Sequence, residues 1–259
     1  MRGGRLLLGL YAALAYGFIF LPVVLLVLFS FQEGRLPIPP FDGPSLRWYE
    51  AILADRQLME ALGNSLVVAL ASSAVACALA FLAAWGLARR LLPAQGLMRG
   101  LITLPLMVSY LIIGLGLLAS FNALAVPRSL LTVGIGHVVI NLPLGFAILY
   151  ASMGPRILNA ERAARDLGAS EPRVLLHVTV PMLAPALIAS FFLSVTFSWD
   201  EFIIAFLLSR FDVTLPVEIW SLLRSGLSPK TNAIGSVVFL VSVALVVLLE
   251  VLVFRKVRR

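Results

Sequence analysis

Long apolar runs are the feature that most constrains the fold of this chain. Six of them lie at 6–31, 65–88, 101–123, 130–153, 183–209 and 233–254. About 20 consecutive apolar residues cross a bilayer as an α-helix. The runs are continuous, whereas the strands of a membrane barrel alternate apolar and polar residues. The sequence therefore predicts an all-α membrane protein with six transmembrane helices.

Composition and charge agree with this prediction. The 259 residues are 61% hydrophobic and 13% charged, whereas soluble domains average about 45–50% apolar and 25% charged. If the N-terminus lies inside, 13 of the 20 Lys and Arg fall in inner segments. Cytoplasmic loops of membrane proteins carry such an excess, so we expect both termini in the cytoplasm. The net charge of +7 then reflects topology and not nucleic-acid binding.

Motifs for hydrolytic, metal and nucleotide chemistry are missing from the sequence. The single Cys77 permits no internal disulfide, and His137 and His177 form no H-E-x-x-H arrangement. Neither lysine follows a glycine, so the chain has no P-loop. We therefore expect no catalytic residues, no metal site and no cofactor bound by this chain. If the chain transports a solute with ATP, the ATPase must be another protein.

A charged segment, 159–170, separates the fourth and fifth predicted spans. Asn159 is a suitable helix N-cap, and Gly168 is placed for a left-handed residue after the helix end. The predicted helix has an apolar stripe formed by Ala160, Ala163, Ala164 and Leu167. The residues alone leave two interpretations open: a solvated loop helix, or a helix that docks on a partner.

Asp200 and Glu201 form an acidic pair inside the fifth predicted span. An acid at membrane depth costs at least about 2.5 kcal/mol, so it usually faces a cavity, a partner charge or a substrate. The pair therefore either attracts a cationic solute or belongs to a structural ion pair, for which Arg210 is a candidate partner. His137 and Asn141, four residues apart, are expected to hydrogen-bond between helices.

The segment 161–181 resembles the cytoplasmic signature of the type I permeases of bacterial ABC importers. That signature reads E-A-A, three residues, G, nine residues, then I-x-L-P. The residues at matching positions are Ala163, Ala164, Gly168, Val178, Val180 and Pro181. Arg162 stands where the signature has glutamate, and Glu161 lies one residue earlier. Further stretches, such as 64–66 and 215–221, resemble the spermidine and putrescine permeases.

This resemblance implies the type I importer fold, N-in and C-in, with a cytoplasmic coupling helix at 159–170. Residues 1–62 would form the first helix and a periplasmic loop, 63–254 a five-helix transmembrane domain, and 255–259 a basic cytoplasmic tail. The implied function is ATP-driven import of a small cationic, polyamine-like solute across the bacterial inner membrane by alternating access. The alternatives are another small organic solute or, in a different class, an ion-coupled secondary transporter.

The resemblance also implies partners: a second homologous permease chain, two ATP-binding subunits that hold ATP and magnesium, and a periplasmic solute-binding protein. Membrane lipid surrounds the chain, and no nucleic acid is expected. Three sets of site residues follow. The coupling set is Glu161, Arg162, Ala163, Ala164, Asp166, Leu167, Gly168 and Ser170. The translocation set is Trp199, Asp200 and Glu201. The docking set, for the binding protein, is Asp212, Glu218 and Trp220.

Overall fold

The structure is a computed structural model of the chain. It describes residues 2–89, 93–226 and 228–257, and the side chains of these residues except 2–7, 249 and 252–257. Of the predicted basic tail, residues 258 and 259 and the side chains of 255–257 lie outside this description. The described backbone is helical apart from loops and one isolated antiparallel bridge. The predicted all-α fold is confirmed.

The helices follow one another in a simple order. The first are α1 (Arg2–Ser30), α2 (Arg47–Leu53) and α3 (Arg56–Ala88). Next come α4 (Gln95–Thr103), a 3₁₀ turn (Leu104–Met107), α5 (Tyr110–Ala123) and α6 (Leu130–Ser152). They are followed by α7 (Pro155–Asp166), α8 (Glu171–Val174), a π-helical turn (Leu175–Thr179) and α9 (Val180–Trp199). The last are α10 (Ile203–Leu208), α11 (Leu215–Ser225) and α12 (Pro229–Val257).

Five helical segments among the described residues are long and apolar enough to cross a membrane. They are Leu8–Ser30, Arg56–Ala88, Leu130–Ser152, Glu171–Trp199 and Pro229–Leu248. The predicted span 101–123 is instead a helix pair, Gln95–Met107 and Tyr110–Ala123, bent by 107°. The six predicted spans are therefore present if this bent pair counts as one.

Two residues explain the bend. Pro105 lies in the 3₁₀ turn, where its ring and its missing N–H prevent a regular continuation of α4. The chain is extended at Val108, and Ser109 then caps α5 by accepting a hydrogen bond from the Ile112 N–H at 3.4 Å. The new helix therefore starts in its own direction.

The fifth predicted span, 183–209, differs from the structure at both ends. The helical run begins at Glu171 and leaves helical geometry after Trp199. Glu201 explains the break, because its carboxylate accepts hydrogen bonds from the Ile204 N–H (2.9 and 3.0 Å) and the Ala205 N–H (3.1 Å). A helix start needs acceptors for such free N–H groups, and here a side chain supplies them.

The chain forms two compact units. One consists of Met1–Glu60 and Glu218–Val241, and the other of Ala61–Val217 and Ser242–Arg259. The predicted division at residues 62 and 254 refers to the organisation of the family and stays a prediction.

Polar contacts hold the first unit together near α2. The Trp48 Nε1–H donates to the Gln32 carbonyl at 2.7 Å, which ties α2 to the end of α1. The Lys230 ammonium lies 2.6 Å from Asp55 Oδ2, which joins the start of α12 to the residue before α3. The hydrogen bond from Lys230 holds the pKa of Asp55 below its usual value.

Small residues let the helices of the second unit approach closely. One apolar cluster joins α3, α6, α7 and α9 through Cys77, Ala80, Phe81, Ala84, Leu87, Phe146, Leu149, Met153, Ile157 and Leu183. A methyl group added at Gly145 of α6 would lie 3.1 Å from Ala80 Cβ and 2.8 Å from Ser190 Oγ. Such contacts are expected where lipid supplies no hydrophobic force between helices.

A second cluster brings α10 against α5 and α6. It consists of Val68, Val133, Ile140, Ile204, Ala205, Leu208 and Val217. A methyl group added at Gly136 would lie 2.4 Å from Ile204 Cγ2 and 3.0 Å from Leu208 Cδ1. Glycine at position 136 is therefore what allows α10 to lie against α6.

Replacing Gly136 by alanine is expected to destabilise the chain, because the branched, fully buried Ile204 cannot move aside. Overpacking of this kind costs about 1–3 kcal/mol. Gly134→Ala in the same helix is the matched control, since its added methyl would meet no atom within 4 Å. Thermal unfolding of the detergent-purified variants measures the difference, and equal midpoints would contradict the close packing.

Candidate functional site

α7 carries most of the coupling set and lies between two membrane-long helical segments, α6 and Glu171–Trp199. It begins at Pro155, with Gly154 as N-cap. The predicted N-cap, Asn159, is therefore wrong and lies inside the helix. Proline suits the first turn of a helix, where its missing N–H has no partner to lose, so the helix starts five residues earlier than expected.

The predicted C-terminal end of α7 is confirmed. Gly168 adopts a left-handed conformation with φ +82. Its N–H donates to the Arg165 carbonyl at 2.8 Å, and the Ala169 N–H donates to the Ala164 carbonyl at 3.0 Å. These two bonds form a Schellman motif, which satisfies carbonyl groups that the helix end leaves free.

Most of the coupling set is accessible in this chain. The exposed members are Arg162, Ala163, Asp166, Leu167, Gly168 and Ser170, and Ala164 is half-buried. Leu167, the C-cap of α7, is 90% exposed. A large apolar side chain in this position has no packing role within the described chain. Of the apolar stripe of α7, Ala163 and Leu167 are therefore exposed, and Ala160 and Ala164 are half-buried.

Glu161 is the exception in the coupling set, because its side chain is fully buried. Its Oε2 accepts a hydrogen bond from Arg89 Nε at 2.8 Å, and its Oε1 accepts from Arg89 Nη2 and from the Thr179 hydroxyl. Arg165 Nη2 lies 3.8 Å from Oε2. The carboxylate thus has charged and polar partners from three parts of the chain.

Arg89 is placed by the C-terminal end of α3. Its guanidinium lies 5.0 Å from the centroid of the Trp85 ring, and Nη1 donates to the Trp85 carbonyl at 3.1 Å. Nη1 also lies 3.5 Å from the sulfur of Met153, the C-cap of α6. Burial lowers the pKa of Arg89 to about 10, with a further contribution from Arg165. Arg89 and Glu161 form a salt bridge by geometry, and both side chains are withdrawn from solvent.

A second ion pair continues from this one toward solvent. Arg165 Nε and Nη2 donate to the two carboxylate oxygens of Glu171 at 2.6 and 3.0 Å. The bond to Glu171 raises the pKa of Arg165. A cavity of about 870 Å³ adjoins both pairs. Its lining residues are Trp85, Ala88, Arg89, Leu158, Glu161, Arg162, Arg165 and Glu171.

The translocation set lies at the break between α9 and α10. Trp199 is 2% exposed, Glu201 is 5% exposed, and Asp200 is exposed. The proposed partner Arg210 lies over the ring of Phe211 at 4.8 Å instead. Glu201 is thus occupied in capping α10, whereas Asp200 presents its carboxylate to the surroundings.

The expected hydrogen bonding between helices is confirmed for His137. Its Nδ1 lies 2.5 Å from the Ser198 hydroxyl, which lies 3.3 Å from the Ser72 hydroxyl, so α6, α9 and α3 are linked. Its Nε2 lies 3.5 Å from Glu201 Oε2. Asn141 is buried, and its Nδ2 has no hydrogen-bond partner among the described residues. No group of three or more His, Cys, Asp or Glu in the described part could hold a metal ion.

The docking set is divided between exposed and buried positions. Asp212 is exposed, and Trp220 is 44% exposed. Glu218 is buried and accepts a hydrogen bond from Gln57 Nε2 at 3.0 Å. Pro216 lies in the first turn of α11, where its missing N–H costs no hydrogen bond.

Glu201→Ala is expected to destabilise the chain by about 0.5–2 kcal/mol, the usual cost of losing a helix-capping side chain. Asp200→Ala removes the neighbouring, exposed carboxylate and should change stability by less than about 0.5 kcal/mol. Thermal unfolding of the two variants in detergent compares them directly. A similar loss in both would contradict the capping role of Glu201.

Comparison with known proteins places the chain in a family. No protein-family model matches it. The putrescine transport system permease protein PotI of Escherichia coli K12 is 33% identical over 87% of this chain and 83% of the relative. The spermidine/putrescine permease PotC of the same strain is 27% identical over 94% of this chain and 92% of the relative. The PotC protein of Haemophilus influenzae is 27% identical over 92% of each.

Solved structures agree on the fold. A bacterial ABC transporter that imports alginate matches with a TM-score of 0.65 at 18% identity and covers 98% of this chain and 95% of its own. The alginate transporter in complex with a periplasmic protein matches with a TM-score of 0.68 at 16% identity. This match covers 96% of this chain and 93% of the transporter chain. The chain therefore belongs to the spermidine and putrescine permeases, the membrane-spanning transport subunits of ABC importers.

Proposed function

We propose that this chain is a permease subunit of an ATP-driven importer in a bacterial inner membrane, and that it moves a polyamine-like cation into the cytoplasm. The observation that carries this proposal is α7, a charged and largely exposed helix between two membrane-long segments. Gly168 ends it, and Pro181 follows at the spacing of the coupling signature. The solute class is supported by the relatives, whose names specify putrescine and spermidine transport.

The topology in this proposal is N-in and C-in, which places α7 on the cytoplasmic side. There α7 is the coupling helix and contacts one of two ATP-binding subunits, which hold ATP and magnesium. A second, homologous permease chain completes the membrane part. The excess of Lys and Arg in the inner segments supports this orientation.

A periplasmic binding protein delivers the solute on the opposite side. The solved alginate transporter includes such a periplasmic protein, which supports this partner. In the docking set, Asp212 and Trp220 are the exposed contact residues. Glu218 acts indirectly, because its bond to Gln57 holds α11 against the start of α3.

The transport cycle follows from these contacts. Closure of the ATP-binding subunits moves α7, and the attached spans then open toward the periplasm to receive the solute. Hydrolysis of ATP returns the spans to their starting conformation. Leu167 and the exposed Ala163 of α7 provide the contact surface, since small and apolar side chains permit close packing with a partner. Asp200 attracts the cation, because it is the member of the acidic pair whose carboxylate is exposed.

Reconstitution tests the proposal as a whole. The chain, a partner permease and the ATP-binding subunits are purified together and placed in liposomes with binding protein outside and ATP inside. We expect uptake of labelled putrescine or spermidine that requires ATP, with the ATPase co-purifying with the chain. ATP-independent uptake by the chain alone would support an ion-coupled secondary transporter and overturn the proposal.

Leu167→Glu is expected to weaken binding of the ATP-binding subunit and to lower ATP-driven uptake. The 90% exposure of Leu167 means that the variant should still fold. Leu124→Glu is the matched control, because Leu124 is also an exposed helix C-cap but belongs to the loop expected outside. Co-purification measures the effect, and equal recovery of the ATPase with both variants would refute the contact.

Asp200→Asn is expected to lower the maximal rate of polyamine uptake by about fivefold, the factor that corresponds to roughly 1 kcal/mol. The cause is the loss of one exposed negative charge. Glu33→Gln removes a similar exposed charge from the loop after α1 and serves as the control. Uptake at saturating binding protein gives the readout. An unchanged rate in Asp200→Asn would rule out attraction of the solute by this residue.

A further inference from the structure

Glu161 belongs to the coupling helix but faces its own chain. Its side chain is fully buried, whereas that of Arg162 is exposed. Successive residues of an α-helix point about 100° apart, so α7 directs Arg162 outward and Glu161 inward. Glu161 therefore cannot serve as a surface contact in this structure, and its role must be sought in the bonds that it makes within the chain.

Those bonds connect segments that are distant in sequence. Arg89 follows α3 directly and lies 72 positions from Glu161. Thr179 ends the π-helical turn that leads into α9. Met153, which caps α6, touches the same guanidinium. Main-chain connections attach α7 only to α6 and α8, so the contact with α3 depends on the Arg89 side chain and its neighbours.

We propose that Glu161 is a positioning residue that fixes the coupling helix to α3 and to the base of α9 through Arg89 and Thr179. We call these three residues the buried clamp. The inference rests on the coupling function proposed for α7. With the clamp closed, a displacement of α7 by the ATP-binding subunit is passed to two further membrane helices, and α7 does not move by itself.

The electrostatics of the clamp oppose its opening. Arg89 Nε lies 2.8 Å from Glu161 Oε2, and both side chains are withdrawn from solvent. Separation would leave the Arg89 guanidinium buried without its carboxylate, which costs far more than an exposed ion pair contributes. Arg165 stands 3.8 Å from Glu161 and binds Glu171, so charges of alternating sign continue from the clamp to the surface.

The buried clamp also lies apart from the exposed residues of α7 that are proposed to contact the ATP-binding subunit. The residues of α7 that are exposed, such as Leu167, can bind a partner whether or not the clamp is intact. Loss of the clamp should therefore leave the ATPase bound and active while less of its motion reaches the spans. Loss of the contact between the exposed α7 residues and the ATP-binding subunit would instead release the ATPase.

Hydrogen exchange in the full chain tests the clamp without any transport. Glu161→Gln keeps the shape and removes the charge, and we expect the α7 amides to exchange about tenfold faster, because local opening governs their exchange. Glu161→Asp keeps the charge and should remain closer to the unmodified chain. Thr179→Val leaves the ion pair in place and should also speed α7 exchange, but by a smaller factor. It replaces Glu161→Gln as the test if that variant does not fold.

Arg56→Gln is the control, because it breaks an Arg–Glu pair with Glu60 that is exposed and lies at the other end of α3. It should leave α7 exchange unchanged. Unchanged α7 exchange in Glu161→Gln, or in Thr179→Val if that variant has to be used, would overturn the clamp.

Transport per ATP hydrolysed, measured in the complete importer, tests the positioning role. Glu161→Gln and Arg89→Gln should each lower this ratio by roughly fivefold, the lower range of a typical coupling between sites. The double variant should be no worse than the more severe single, because both changes remove one interaction. Additive losses, or an unchanged ratio in either single variant, would overturn the inference.

Two further comparisons separate the possible causes. A purely structural role would reduce the amount of folded importer and leave the ratio unchanged, whereas Glu161→Asp should recover part of the ratio under the positioning role. If the unmodified importer shows no ATP-driven transport, the proposed function fails. The exchange measurement then still decides whether the clamp holds α7.

Discussion

A charge buried inside this chain has to be paired by the chain itself, because the interior of a protein offers neither water nor free counter-ions. Glu161 and Glu201 meet this requirement in different ways. Glu161 is held by the guanidinium of Arg89 and the hydroxyl of Thr179, which come from distant parts of the chain. Glu201 accepts from backbone N–H groups a few residues ahead, at the start of α10. The first arrangement joins helices, and the second ends one helix and begins another.

The features that could be predicted from the sequence are those that local sequence determines. Long apolar runs must become helices in a membrane, so the all-α fold followed from composition and run length. The end of α7 was also predicted, because a left-handed residue after a helix favours glycine and Gly168 stands at that place. The spacing from Gly168 to Pro181 matches the signature of ABC importer permeases, the family to which the chain belongs. These features depend on local sequence alone.

Features that depend on distant pairs or on competing local signals could not be predicted. No spacing relates Arg89 to Glu161, so the sequence placed Glu161 in the coupling set without showing that its side chain is buried. Asn159 is a good N-cap by type, yet Pro155 starts the helix earlier and leaves Asn159 inside it. The break after Trp199 was missed because its cause is the Glu201 side chain, which takes the place of a backbone acceptor.

The Glu201 cap also limits how far the carboxylate of Asp200 can move. If a membrane helix ended by fraying, the backbone of its last residues would be mobile. The position of a carboxylate there would then vary widely. Here the bonds from Glu201 to the Ile204 and Ala205 N–H groups anchor the turn, and α10 is packed against α5 and α6 on its far side. The backbone of Asp200 is therefore held at both ends. The exposed side chain can still change rotamer, but its negative charge stays within reach of one fixed backbone position.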